Sequence, residues 1–166
     1  MATLPNETMN QASNAFRVIP SDTINIPQPY VSASGANTSV VPDKLADTGA
    51  TFTGFGTSIP AVLAGDTVYN ESANLIATVT AIDSKELLSL SANIFVGTPE
   101  DYTIYQANPE PNAFLLYVGT AGDVSIQTSL DKAVTLFNVA NASFIPINVG
   151  RVNFTGTTAD DIIALL

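Results

Sequence analysis

The chain has no cysteine and no histidine. Without cysteine there is no disulfide framework, no thiolate nucleophile and no thiolate-based zinc site. Without histidine the commonest general base and the commonest transition-metal ligand are missing, so Ser-His-Asp and Cys-His catalysis are excluded. Tryptophan is absent as well. Charge is scarce and one-sided: 12% of residues are charged, five Lys and Arg stand against fifteen Asp and Glu, and the net charge is −10. A nucleic-acid binder needs cations to displace phosphate counterions, and an anionic membrane surface needs them too, so neither partner is expected. No apolar run approaches the roughly 18–20 residues of a membrane-spanning helix. The start of the chain, Met1 to Glu7, lacks a basic segment followed by an apolar one, so no export signal is expected.

What remains is apolar enough to fold. In 166 residues, 46% are hydrophobic, and the mean hydropathy is +0.27. A chain of this length buries roughly 70% of the surface its unfolded form exposes, and global disorder is excluded. Thr, Ser, Asn, Ala and Val dominate, while the long charged residues that decorate helices are few. That balance favours strands and turns, and no long amphipathic helix or clear repeat is visible.

Residues 1–15 are polar and read as an arm that orders only when something holds it. Phe16 to Pro20 is a short apolar patch, Ser21-Asp22-Thr23 a turn, and Ile24 to Pro27 an alternating segment. Pro20, Pro27 and Pro29 suit an extended or edge segment. Residues 30–50 read as loop, with one helical turn at Pro42–Ala46. Strand signals then come at short spacing: Thr67–Tyr69, Leu75–Ile82, Leu88 to Ile94 and Tyr102–Tyr105. Leu88, Leu90, Ala92 and Ile94 alternate with Ser89, Ser91 and Asn93, the pattern of a half-buried strand. Asn108–Asn112 is a proline-rich boundary. Beyond it Phe114–Val118, Val124–Thr128, Val134–Val139, Phe144–Val149 and Arg151–Phe154 read as strands separated by turns. The tail Asp160–Leu166 is open between a capped helical turn and a last apolar strand, with the strand favoured because its neighbours need partners. The chain is therefore expected to be all-β.

Chemistry-bearing patterns are few. Gly119-Thr120-Ala121-Gly122-Asp123 resembles a glycine loop, but no Lys-Ser/Thr follows and a strand comes next, so it reads as a turn rather than a phosphate cradle. Asp160-Asp161 are adjacent, whereas paired glycosidase carboxylates come from separate elements roughly 5–10 Å apart. No Asp-x-Asp-x-Asp-Gly run marks a calcium loop, and surface acidity serves solubility. Tyr30, Tyr69, Tyr102, Tyr105 and Tyr117 either line a sugar-binding surface or pack between strands, and packing is the expected role. Asn-x-Ser/Thr triplets begin at Asn6, Asn37, Asn70, Asn141 and Asn153, as expected in so Asn-, Ser- and Thr-rich a chain. No catalytic, cofactor-binding or metal-binding residue is nominated.

Three stretches taken together resemble one family. They are Arg17-Val18-Ile19-Pro20-Ser21-Asp22-Thr23, then Leu116 to Val124 (Leu-Tyr-Val-Gly-Thr-Ala-Gly-Asp-Val), then Pro146 to Asn153 followed by Gly156 to Leu165. They are similar to small virion structural proteins of tailed bacteriophages, the capsid decoration (cement) and spike-base proteins. In that family the first stretch lies close before the second, whereas about ninety residues separate them here. The resemblance implies a discontinuous antiparallel β-sandwich or jelly-roll-like domain of residues 16–29 and 109–166. Residues 30–108 are then an inserted small β-barrel or β-roll, and 1–15 an extended N-terminal arm. It implies no enzymatic residues and no cofactor. The expected role is a decoration protein on the outside of a phage head, binding the major capsid protein and itself as a homotrimer. The alternative is a tail spike-base or receptor-contacting adaptor, and polysaccharide hydrolysis through two acids ranks last.

Overall fold

The computed structural model describes residues 12, 14–54, 60–107 and 114–166. The chain is all-β: thirteen strands form two antiparallel sheets, and no helix occurs among the described residues. One sheet has six strands: β1 (Ala15–Arg17), β9 (Phe114–Thr120), β10 (Gly122–Thr128), β11 (Ala133–Val139), β12 (Ser143–Val152) and β13 (Asp160–Leu165), in the order β1-β13-β9-β12-β10-β11. The other has seven: β2 (Val31–Ala36), β3 (Ser39–Val41), β4 (Lys44–Ala46), β5 (Thr67–Asn70), β6 (Leu75–Ser84), β7 (Leu87–Leu90) and β8 (Asp101–Tyr105), in the order β2-β8-β5-β6-β7-β4-β3.

Each sheet curls over its own core, and in each a ten-residue strand makes the corner. The first half of β12 pairs with β9 through Ser143–Ile145 and the second half with β10, with a bulge between Ile145 and Val149. A bulge adds twist and bends the strand, which lets one strand serve both walls. β6 does the same work in the other sheet, pairing with β5 over Leu75–Thr78 and with β7 from Val79 onward. The six-stranded sheet wraps Phe114, Leu116, Val118, Val124, Ile126, Ile145, Val149, Val152, Ile162 and Ala164, closed by Val18 and Ile26. The seven-stranded sheet wraps Leu45, Phe52, Val62, Val68, Leu88, Phe95, Tyr102 and Ile104 among others.

A line of aromatic rings joins the two sheets. Phe16 of β1 meets Phe114 edge-on at 5.8 Å and stacks on Tyr105 of β8 at 5.3 Å, and Tyr105 meets Tyr69 at 5.0 Å. Such pairs contribute about 0.5–1.5 kcal/mol each beyond their buried area.

Several expectations change. Residues 30–50 hold three strands rather than loop, because β2 adds to β8 and the β3–β4 hairpin adds to β7. The expected helical turn at Pro42–Ala46 is instead that hairpin's turn, with Asp43 at φ +56°. The strand expected through Ile94 ends at Leu90; Ile94 is buried from a loop, where its carbonyl accepts the side chain of Asn70. Phe144–Val149 and the first two residues of Arg151–Phe154 merge into β12, which ends at Val152. The tail is a strand, held between β1 and β9. Ala15 opens β1, and Asn14 and Leu166 exchange backbone hydrogen bonds, so the chain is ordered from just inside the expected arm. Most of that arm, Asn6 and the Asn108–Asn112 boundary lie outside the described residues.

Candidate interaction surface

Strand residues alternate between two faces, so a strand covered on one side shows alternating apolar and polar positions. β9 and β13 do not. Phe114-Leu115-Leu116-Tyr117-Val118 and Ile162-Ile163-Ala164-Leu165 are apolar at both parities. The even-numbered positions of each run point into the core and are buried. The odd-numbered positions form the outer face of the sheet. Register places Phe144 of β12 opposite Tyr117, Tyr117 opposite Ile163, and Leu115 opposite Leu165. The result is a contiguous apolar row on three neighbouring strands, bordered by Arg17 and Asp161. Phe144 is 65% exposed and Leu115 43% exposed, and the Tyr117 and Phe144 rings lie 5.3 Å apart. A run that is apolar on both faces is the pattern of a strand covered on both sides. Here nothing in the chain's described residues covers the outer one.

Arg17 extends the row beside Ile163, and its guanidinium lies 3.9 Å from Asp160. Both side chains are exposed, so this pair steers more than it stabilises. At the far edge, β11 pairs with β10 and with no other strand among the described residues. Leu130 is 80% and Phe137 72% exposed there. Asn138, at φ +53°, and the register shift between Gly122 and Val124 twist the end of this edge, one way a free edge is kept from indiscriminate pairing.

The motifs weighed in the sequence fall as follows. Gly119–Asp123 spans the end of β9 and the start of β10 with only Ala121 between them, and its glycines are steric necessities. A Cβ on Gly119 would sit 2.8 Å from the Asp161 Cβ, and one on Gly122 would collide with the Ala159 backbone. Asp160 and Asp161 are both exposed on β13. Asp161, at φ +53°, accepts the Thr120 hydroxyl at 3.1 Å. Tyr69 and Tyr102 are buried, Tyr105 is half-buried in the aromatic line, and Tyr117 is half-buried on the outer face; of the five, Tyr30 stands exposed. Burial pushes the Tyr69 and Tyr102 hydroxyls far above their ordinary pKa, Tyr102 further because it donates to Asp47. No group of three or more carboxylates is placed to hold a metal ion among the described residues. Asn37 and Asn70 are buried and spent on loop hydrogen bonds, so their triplets are closed to modification in the folded chain.

The seven-stranded sheet holds a different feature that no sequence signal marked. Asp66 is buried and accepts three hydrogen bonds, from the Ser32 hydroxyl (3.1 Å) and from the Leu63 and Ala107 backbone N–H groups (3.0 Å each). Asp47 is also buried and accepts two, from the Tyr102 hydroxyl and the Gly49 N–H, both at 2.8 Å. Lone aspartates in loop-like sequence carry no pattern that distinguishes them from surface acids. Between the sheets, Ile19, Pro20, Asn74, Leu75, Ile76, Phe154 and Asp160 are among the residues that line a cleft of about 300 Å³.

Comparison with protein-family models, with curated proteins and with solved structures finds no match in any of the three.

Proposed function

We propose that the chain is a non-enzymatic structural protein of a tailed-phage virion, a decoration protein that binds the outside of the head and bridges major capsid protein subunits, itself assembling as a homotrimer. The observation that carries this reading is the apolar row on the outer face of the six-stranded sheet. In a chain of net charge −10, the row Phe144-Tyr117-Ile163 with Leu115 and Leu165 is a surface fitted for another protein rather than for water. The sequence resemblance of 17–23, 116–124, 146–153 and 156–165 supports the same role, and it stands on those residues alone. The stretches 116–124 and 156–165 include most of β9 and all of β13, strands that build this face with β12. Absence of histidine and cysteine accords with a binding rather than a catalytic role.

The test is to add the purified chain to shells assembled without it. Raised heat resistance of the shells is expected, and Phe144→Asp on the outer face should abolish the gain while leaving the chain folded. Shells whose heat resistance is unchanged by the wild-type chain would sink the reading. Binding to isolated tails in place of heads would transfer the role to the spike-base alternative.

A further inference from the structure

We propose that the cleft in front of Asp47 receives a primary ammonium group, of the kind a partner protein presents on a lysine side chain. The cleft, about 290 Å³, is lined by Ser32, Ser34, Asp47, Thr51 and Tyr102, with small residues between them. Its volume suits one extended amine-bearing side chain. Asp47 and Tyr102 are 8% and 2% exposed, so the carboxylate is held in a fixed direction at the cleft wall. Gly35 permits this: a Cβ there would sit 2.9 Å from the Asp47 carboxylate and 3.0 Å from the Tyr102 hydroxyl.

The two buried aspartates separate structure from site. An ionised carboxylate offers about four acceptor positions. Asp66 uses three of them on donors from its own module. Asp47 uses two, and it borders an open cleft whose other polar groups, the hydroxyls of Ser34 and Thr51, can also accept. A buried carboxylate is stabilised by hydrogen-bond donors and, where one is at hand, by a cation. The five cations of this chain are engaged elsewhere or distant in the fold. Arg17 meets Asp160, Lys44 meets Asp83, and Lys85 meets Glu86. Arg151 donates to Gln127 and Asn153, and Lys132 sits in the β10–β11 turn of the other sheet. A cation beside Asp47 would therefore be one supplied from outside the described residues. An ammonium, which only donates, suits a carboxylate with open acceptor positions beside hydroxyls that can also accept. The inference does not rest on the virion reading, which concerns the opposite module.

The probe is n-butylammonium chloride, titrated into the full chain and followed by amide chemical shifts, with 1-butanol and sodium chloride as controls. Saturable shifts at Ser34, Gly49, Ala50 and Thr51 are expected with the ammonium and not with either control. Asp47→Asn keeps the shape and an acceptor for Gly49, and should weaken the fitted affinity about tenfold or more. Should that variant fail to fold, Thr51→Val and Ser34→Ala, on the cleft wall, should each weaken it several-fold. Equal shifts with 1-butanol, shifts scattered over surface carboxylates, or variants that bind like wild type would each overturn the proposal. None of those results would alter the outcome of the shell experiment.

Discussion

Both sheets turn their corner at a ten-residue strand, but they fill and face the space around it differently. Of the seven buried polar residues among those described, six (Ser32, Asn37, Asp47, Asp66, Thr67 and Asn70) belong to the seven-stranded module and one, Ser125, to the six-stranded one. The seven-stranded module has short strands and long connections, and its loops are pinned by buried side chains. Asn70 donates to the Ile94 carbonyl and to Glu100 and accepts from Ala73, while Asn37 bonds Gly97 and Glu100. The six-stranded module has an apolar core and leaves Leu115, Phe137, Phe144 and Phe154 exposed. One module spends its polarity on holding its loops together; the other has little buried polarity and shows an apolar row on its outer face. The two are joined by the Phe114-Phe16-Tyr105-Tyr69 line.

This contrast can be broken from either side. The largest effects are expected in the two cores. Leu116→Ala and Leu88→Ala, each at a fully buried site, should lower unfolding free energy by about 2–5 kcal/mol in urea titrations. Next comes the polar interior. Asp66→Ala strands two backbone N–H groups and should cost roughly 3 kcal/mol. Ser125→Ala, its counterpart in the other module, should cost under about 1 kcal/mol. Equal costs would erase the distinction drawn here. At the junction, Phe16→Ala removes two ring contacts and should cost about 2 kcal/mol. It should also split a single unfolding transition into two, read by amide exchange in each sheet.

Smaller effects sharpen the picture. Backbone and side-chain bonds from Thr155 hold the Asp22 carboxyl below its usual pKa, and Lys44 with Ser89 does the same for Asp83. A depressed carboxylate contributes stability above its unfolded pKa and loses it as pH falls through the folded one. Stability should therefore be level from pH 8 to about 5 and decline below about 4. Asp22→Asn should flatten part of that decline. Smallest of all for stability is Phe144→Ser, expected within about 0.5 kcal/mol of wild type because the ring is exposed. Its effect should appear in association instead, as later elution and a lower mass by light scattering.

The sequence made some of this legible. Alternation and turn chemistry placed the strands from Thr67 onward, and the outer face was already written in the unbroken apolar runs at 114–118 and 162–166. The region 30–50 was obscured because β3 and β4 are three residues each, too short to show a period, and their pairing is decided by Leu87–Leu90 much later in the chain. Ile94 continued an alternation in sequence that the chain breaks in space, because Asn70 and Glu100 capture the following loop. Asp47 and Asp66 were invisible because burial of a lone acid depends on which backbone N–H groups the fold brings to it.

The most direct measurement is the number of copies per purified virion, by quantitative mass spectrometry against the major capsid protein. A simple fraction set by the head lattice, with the chain lost when heads are removed, is expected of a decoration protein. A handful of copies that follow the tail would contradict placement on the head, and complete absence from virions would contradict the structural role itself.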